Sequence, residues 1–155
     1  MKTKVTDFLD IKNITYRPLP HENEAKTVEL AVQERGVPIH EMIKCILLKD
    51  KKKKFVLVCL TGEAKLNTQE VRNYLDDYKR LSFASREELV EILGYEIGSI
   101  PPIALKTDVP VVLDEKIRLN DKVNISSGNP MLGIELRLDE LLNCINNPIF
   151  GRVSQ

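Results

Sequence analysis

Apolar residues recur along this chain at two periods, and the switches between them mark out the elements. Val5, Phe8 and Leu9 keep helical spacing and predict a short amphipathic helix. Residues 14–17 follow as a strand that Pro18 and Pro20 end, with His21 at its exit. Asn23 is placed to cap a helix running to Arg35, with Ala25, Val28, Ala31 and Val32 along one side and Gly36 and Pro38 stopping it. Two unbroken apolar runs, residues 43–48 and 55–60, flank a lysine-rich turn and predict a buried antiparallel hairpin.

Beyond the hairpin, Asn67 and Glu70 open a helix through about Leu75, and residues 79–83 are long enough for one strand. Ser85 and Glu88 form a capping box ahead of the stripe Leu89, Ile92 and Leu93, which Gly94 ends. Residues 109–113 predict another strand, assigned to a sheet edge because of Pro110. Residues 123–126 and 133–138 pair around a polar turn, and Asp139 is expected to cap a last helix over Leu141, Leu142 and Ile145. The tail rich in Asn and Pro is expected to be peripheral.

Composition narrows the function. A chain of 155 residues with 43% hydrophobic residues is expected to form one domain, residues 1–155, with a sizeable core. No apolar run approaches the ~20 residues of a membrane span, and the start lacks a signal-peptide stretch, so a cytoplasmic protein is expected. Cys45, Cys59 and Cys144 are odd in number, scattered and set among aliphatic residues, which predicts buried free thiols. Lys plus Arg and Asp plus Glu balance at 23 each, so no overall basic field draws the chain to nucleic acid. Such a partner would have to meet the local run Lys49 to Lys54, which is equally well a solvated turn. With only His21 and His40, no close Cys pair, and Ala25 where a zinc-protease helix would place its second His, no structural or catalytic zinc site is expected.

Three stretches carry candidate chemistry. Lys44 is an ammonium inside an apolar strand pattern, on the face of Ile46 and Leu48; it serves as a fixed cation in a cleft or snorkels to water. Residues 94–105 place Gly94, Gly98, Pro101 and Pro102 between a helix and a strand, which makes a stiff loop. If Gly98 takes positive φ, the N–H groups of Ser99 and Ile100 converge on an anionic oxygen or a water; the plainer alternative is a turn that only ends the helix. Ser126, Ser127, Gly128 and Asn129 offer hydrogen bonds to a polar ligand, and are also ordinary hairpin-turn residues. No Ser/His/Asp triad is visible.

Taken in order, these parts resemble the YbaK-like family, which comprises the editing (insertion) domain of bacterial prolyl-tRNA synthetases and its free-standing relatives. The resemblance spans about Val5 to Leu142 and lies in the joint order of Lys44, the Gly98 to Pro102 loop, the strand 111–114, and the turn 126–128 leading to 133–136. It implies an α/β domain with a mixed, barrel-like sheet surrounded by helices, which hydrolyses the ester of a mischarged aminoacyl-tRNA without metal or cofactor. Lys44 falls on the family's essential lysine. Gly98, Ser99 and Ile100, with Pro101 and Pro102, fall on its G-x-x-x-P loop, whose backbone holds the aminoacyl carbonyl and the water. Residues 126–129 fall on the turn facing the amino acid, and His21 is counted with the substrate-binding residues. The implied substrate is a small amino acid such as Ala or Cys on tRNA-Pro, and the partners are the acceptor end of that tRNA and an aminoacyl-tRNA synthetase. The alternative is a catalytically silent module that binds tRNA or a synthetase.

The chain departs from the family pattern in several places. Cys45 stands for the usual Thr, and Thr61-Gly-Glu for Pro-Gly-Asp. Asn129, Pro130 and Gly133 replace the Lys, Arg and Asp of the branch directed at Cys-tRNA, a difference that bears on substrate choice.

Overall fold

The computed structural model describes all 155 residues and folds them into eight strands, in two sheets, with helices around them. The larger, mixed sheet has the order β4 (Ser82–Phe83), β2 (Ile43–Lys49), β3 (Phe55–Thr61), β5 (Val111–Asp114), β8 (Ile149–Gly151). The smaller is antiparallel, with β7 (Leu132–Arg137) between β1 (Arg17–Pro20) and β6 (Lys122–Ser126). The sheets do not close into one barrel. No helix is long and apolar enough to cross a membrane.

The predicted hairpin is the centre of this arrangement. In β2 and β3 one face carries Ile43, Leu47, Leu57 and Cys59, which pack with Ile125 and Ile134 of the smaller sheet. Helices α1 (Lys4–Ile11), through Val5 and Leu9, and α4 (Arg86–Glu88, widening into Leu89–Leu93), through Leu89 and Leu93, fill the same core. The other face carries Leu48, Val56, Val58 and Leu60 and is covered by Val71, Leu81 and Val153. Each fully buried aliphatic side chain contributes about 1.5–3 kcal/mol, so strands packed against a core on each face are stabilised from both sides, which is why these runs do not alternate. Cys45 and Cys59, separated in sequence, stand opposite each other with their sulfurs 3.7 Å apart as free thiols.

Several expectations need correction, each for a tertiary reason. The first strand is Arg17–Pro20, not residues 14–17, so the prolines lie within it. It is an edge strand, and Pro18 and Pro20 alternate with Arg17, Leu19 and His21; the N–H of His21 reaches the Met131 carbonyl at 2.8 Å, so the positions lacking an N–H face outward. Helix α2 is Val28–Arg35 and is capped by Thr27, whose hydroxyl accepts from the Leu30 N–H, not by Asn23. The N–H groups of Glu22 and Asn23 are held instead by the Glu34 carboxylate, at 2.7 and 3.1 Å. Helix α3 (Thr68–Val71) tightens into a 3₁₀ turn ending at Tyr74, and Asn67 makes no side-chain cap.

The last third holds the largest differences. Strand β5 is interior, parallel to both β3 and β8; Pro110 precedes it, and its carbonyl accepts the Leu57 N–H at 2.9 Å. Asp139 lies inside the first turn of α5 (Leu138–Asn143), paired with Arg137, and does not cap it. The tail is not peripheral: it forms β8, and Val153 is completely buried. What holds it is Asp114, itself buried, whose carboxylate accepts from the N–H groups of Val153 and Ser154 and from the Ser154 hydroxyl at 2.9–3.0 Å.

Replacing Asp114 by Ala leaves those donors without an acceptor and is expected to cost about 2–4 kcal/mol in urea unfolding. A cost below about 0.5 kcal/mol would show that the clamp does not fasten the tail.

Candidate functional site

Four of the singled-out residues meet in one place. Lys44, Gly98, Ile100 and Ser126 line a cavity of about 120 Å³, where the start of β2, the loop after α4, the end of β6 and one side of α2 converge. The remaining wall is mostly small or apolar, including Ala25, Val28, Ala31 and Met42. Local sequence explains the loop. Ser85 and Glu88 cap α4 reciprocally, Gly94 leaves it at φ 83°, and Gly98 turns at φ 87°. A Cβ at Gly98 would stand 2.5 Å from the Lys26 carbonyl oxygen, so the loop lies directly on the backbone of the segment before α2.

Of the two donors expected to converge here, one is engaged: the Ser99 N–H donates to Glu96 O at 3.1 Å, and Ser99 is buried outside the cavity wall. The Ile100 N–H has no acceptor within the protein. Lys44 donates to the Gly62 carbonyl at 3.2 Å and has no carboxylate within ion-pair distance. Burial lowers its pKa, while the charges of Glu29 and Glu63 pull the other way. The result is a half-buried cation on the cavity wall, tethered by the Gly62 carbonyl and close enough to Glu29 and Glu63 to feel their charge, with neither acid in the wall.

The other expected residues are near but do different work. Ser127 is completely buried and its hydroxyl donates to Leu132 O at 2.7 Å; Asn129 Oδ1 accepts the Met131 N–H at 2.9 Å. Gly128, at φ 88°, lies against the Tyr95 ring, where a Cβ would approach within 2.6 Å. These three shape the turn, and only Ser126 of the four lines the cavity. Pro101 is buried off the wall, and Pro102 lines a separate depression with Phe8, Val111 and Ile145. No group of three His, Cys, Asp or Glu side chains lies close enough together to hold a metal ion.

His21 does not line the cavity but supports a residue that does. Its Nδ1 lies 2.7 Å from the Pro130 carbonyl oxygen and so carries the proton, which leaves Nε2 to accept from Arg35 Nε at 3.1 Å. Arg35 was legible only as the end of a helix, yet its guanidinium forms part of the wall. It also donates to Ile125 O at 3.2 Å, and burial pulls its pKa down to about 10. The absent side chain of Gly133 makes the room: a Cβ there would run into the Arg35 side chain. The sequence signal is Gly133 in place of the Asp of the branch directed at Cys-tRNA, but its meaning requires knowing which side chain lies over it.

Residues 22–144 match the model of the aminoacyl-tRNA editing domain, and the chain belongs to that family. It is 31% identical over 102 residues to the proline–tRNA ligase of Thermosipho melanesiensis, covering 66% of this chain but only 18% of the ligase. An uncharacterized Bacillus subtilis protein, YwhH, is 28% identical over 120 residues, covering 77% of this chain and 75% of that one. The crystal structure of hypothetical protein APE2540 superposes with a TM-score of 0.88 at 26% identity, over 98% of this chain and 99% of that one. A candidate trans-editing enzyme for prolyl tRNA synthetase shares the fold at a TM-score of 0.83 and 22% identity, over 98% and 95% of the two chains.

Burial lowers the His21 pKa, with the neighbouring Arg35 charge acting in the same direction and the Pro130 carbonyl against it. A depressed folded value means the unfolded chain binds the proton more readily. Stability is therefore full above the ordinary histidine value of about 6.5 and is lost as pH falls through the lower folded value. Urea midpoints measured from about pH 7.5 to about pH 5 should fall for the native chain and fall less for His21→Gln. Parallel curves for the two proteins would remove His21 as the group responsible.

Proposed function

We propose that this chain, acting as a single cytoplasmic unit over residues 1–155, is a trans-editing hydrolase. Its substrate is tRNA-Pro mischarged with a small amino acid such as Ala or Cys, and an aminoacyl-tRNA synthetase is a candidate partner. The observation that carries the proposal is that Lys44, which has no carboxylate partner, Ile100, whose N–H has no acceptor in the protein, and the Gly98 turn line one cavity of about 120 Å³. That volume suits a side chain of a few atoms.

Hydrolysis of an aminoacyl ester needs an oriented water and stabilisation of charge on the carbonyl oxygen. The water oxygen bonds to the carbonyl carbon, the Ile100 N–H and the Lys44 ammonium stabilise the oxyanion, and the bond to the ribose oxygen breaks. The ribose oxygen leaves with a proton that originates from the water, so the products are the free amino acid and tRNA with its terminal hydroxyl restored. Family membership and the resemblance to prolyl-tRNA synthetase editing domains support this reaction class.

Lys44→Ala is expected to lower single-turnover deacylation of Ala-, Cys- or Ser-charged tRNA by about 10²–10³-fold, while Lys44→Met, which keeps the stem without the charge, leaves the fold intact. Full activity in the alanine variant would reject Lys44 as the site's cation. If neither the native chain nor any variant releases an amino acid yet tRNA still binds, the silent-module alternative holds.

A second test concerns the loop. Ser99→Ala should stay within a few-fold of native activity, Pro102→Ala should fall further, and Gly98→Val furthest, because valine resists positive φ and meets the Lys26 carbonyl. A folded Gly98→Val protein that is active beside an inactive Ser99→Ala protein would reverse the assignment from backbone to hydroxyl.

A further inference from the structure

The cavity holds a feature that ester hydrolysis alone does not require. Three cations line it, Lys26, Arg35 and Lys44, and no carboxylate does. Lys26 is largely exposed and Lys44 half-buried, whereas Arg35 is the most deeply buried of the three. Arg35 has no ion-pair partner. Its Nε donates to His21 Nε2, its Nη1 to Ile125 O with Met42 Sδ at 3.7 Å, and Nη2 has no acceptor in the protein. A guanidinium is a rigid fork, so fixing Nε and Nη1 also fixes the direction of the remaining donors.

This orientation is built from behind. The Pro130 carbonyl sets the tautomer of His21, His21 Nε2 holds Arg35, and the bare Cα of Gly133 leaves the space the guanidinium stem occupies. Ser126, on the same wall, also keeps its hydroxyl free of any protein partner. The rest of the wall near Arg35 is Ala31 and Met42, which offer a ligand only apolar contact.

We propose that Arg35 is a specificity-determining residue that reads an oxygen on the side chain of the esterified amino acid, so that among small amino acids the site favours a seryl ester over alanyl and cysteinyl esters. The inference rests on the deacylase reading and, within its class of small amino acids, ranks Ser ahead of the Ala and Cys named there. An oxygen accepts strongly from a guanidinium, a thiol sulfur weakly and a methyl group not at all. A site with a buried donor discriminates against the analogue that leaves the donor unpaired. A phosphodiester at the mouth would meet Lys26 and Lys44 before Arg35, which is why the amino acid and not the nucleic acid backbone is assigned to it.

The test uses one tRNA charged in turn with Ser, Cys and Ala, with single-turnover hydrolysis by the native chain, Arg35→Met, Arg35→Lys and Gly133→Ala. Circular dichroism checks that each variant is folded. The native chain should prefer the seryl ester, and Arg35→Met should lower the Ser-to-Cys rate ratio by roughly 10- to 100-fold. Arg35→Lys, which keeps charge but loses the fork, and Gly133→Ala, whose Cβ displaces Arg35, should lower it in the same direction. A ratio unchanged in all the folded variants overturns the proposal. So does an Arg35→Met protein that loses affinity equally for all three charged tRNAs and for uncharged tRNA, because Arg35 then reads the nucleic acid. Binding of amide-linked seryl, cysteinyl and alanyl adenosine analogues separates the two readings. If no ester is hydrolysed the deacylase reading fails, and equal binding of seryl and cysteinyl amides, unaltered by Arg35→Met, overturns the role of Arg35 independently.

Discussion

A hairpin whose two faces are both apolar must be covered twice, and the architecture follows from meeting that demand with a short chain. One cover is the smaller sheet with α1 and α4; the other is α3, Leu81 and the C-terminal tail. The covers do not extend past the start of β2, where α2 and the loop after α4 meet the end of β6. At that opening the strand pattern places Lys44, so the lysine lines the cavity wall and donates to the Gly62 carbonyl instead of lying inside either core. The same strand that anchors the fold therefore delivers the cation, and the hydrophobic packing behind Ile43, Cys45 and Leu47 keeps it in register.

How much was legible in the sequence depends on how far apart the determining residues lie. The hairpin, the capping box at Ser85, the stops at Gly36 and Gly94, and the convergence of Lys44 with the Gly98 loop rest on neighbours within a few positions, or on an order of motifs that survives divergence. The tail is not legible locally, because β8 forms only beside β5 and Val153 beyond it is fixed by a carboxylate 39 residues earlier in the chain. Pro110 suggested an edge because proline cannot donate, but the structure uses its carbonyl and begins the strand one residue later. Pro18 and Pro20 misled in the opposite direction, since alternate positions of an edge strand have no need of an N–H.

The site shows the same division. Gly98 was readable because positive φ is a local property. Arg35 was not, because its role depends on three distant groups: the imidazole of His21, the carbonyl of Ile125 and the missing side chain of Gly133. The serines and asparagine of the turn were readable as polar residues without revealing which hydroxyl is spent. Ser127 satisfies the Leu132 carbonyl inside the turn, and that engagement is what leaves the neighbouring Ser126 at the wall.

The lysine run shows why counting charges in sequence misplaces them in space. Its organising residue is the one acid in it, Asp50, which is buried and accepts the N–H groups of Lys52 and Lys54 at 2.9 Å and that of Lys79 at 3.3 Å. Lys49 pairs with Glu88 at 2.8 Å, and Lys54 donates to Asp77 O while lying 4.4 Å from the centre of the Tyr78 ring. Both flanking lysines thus bind the turn to α4 and to the segment before β4, and Lys51, Lys52 and Lys53 are left without a side-chain partner. A chain balanced at 23 charges of each sign still distributes them unevenly: of the three cations on the cavity wall, Lys26 pairs with Glu24 and Lys44 feels Glu29 and Glu63, whereas Arg35 has no acid partner. What the net charge conceals is therefore local, one enclosed guanidinium whose interaction with an oxygen-bearing group is strengthened by the loss of water around it.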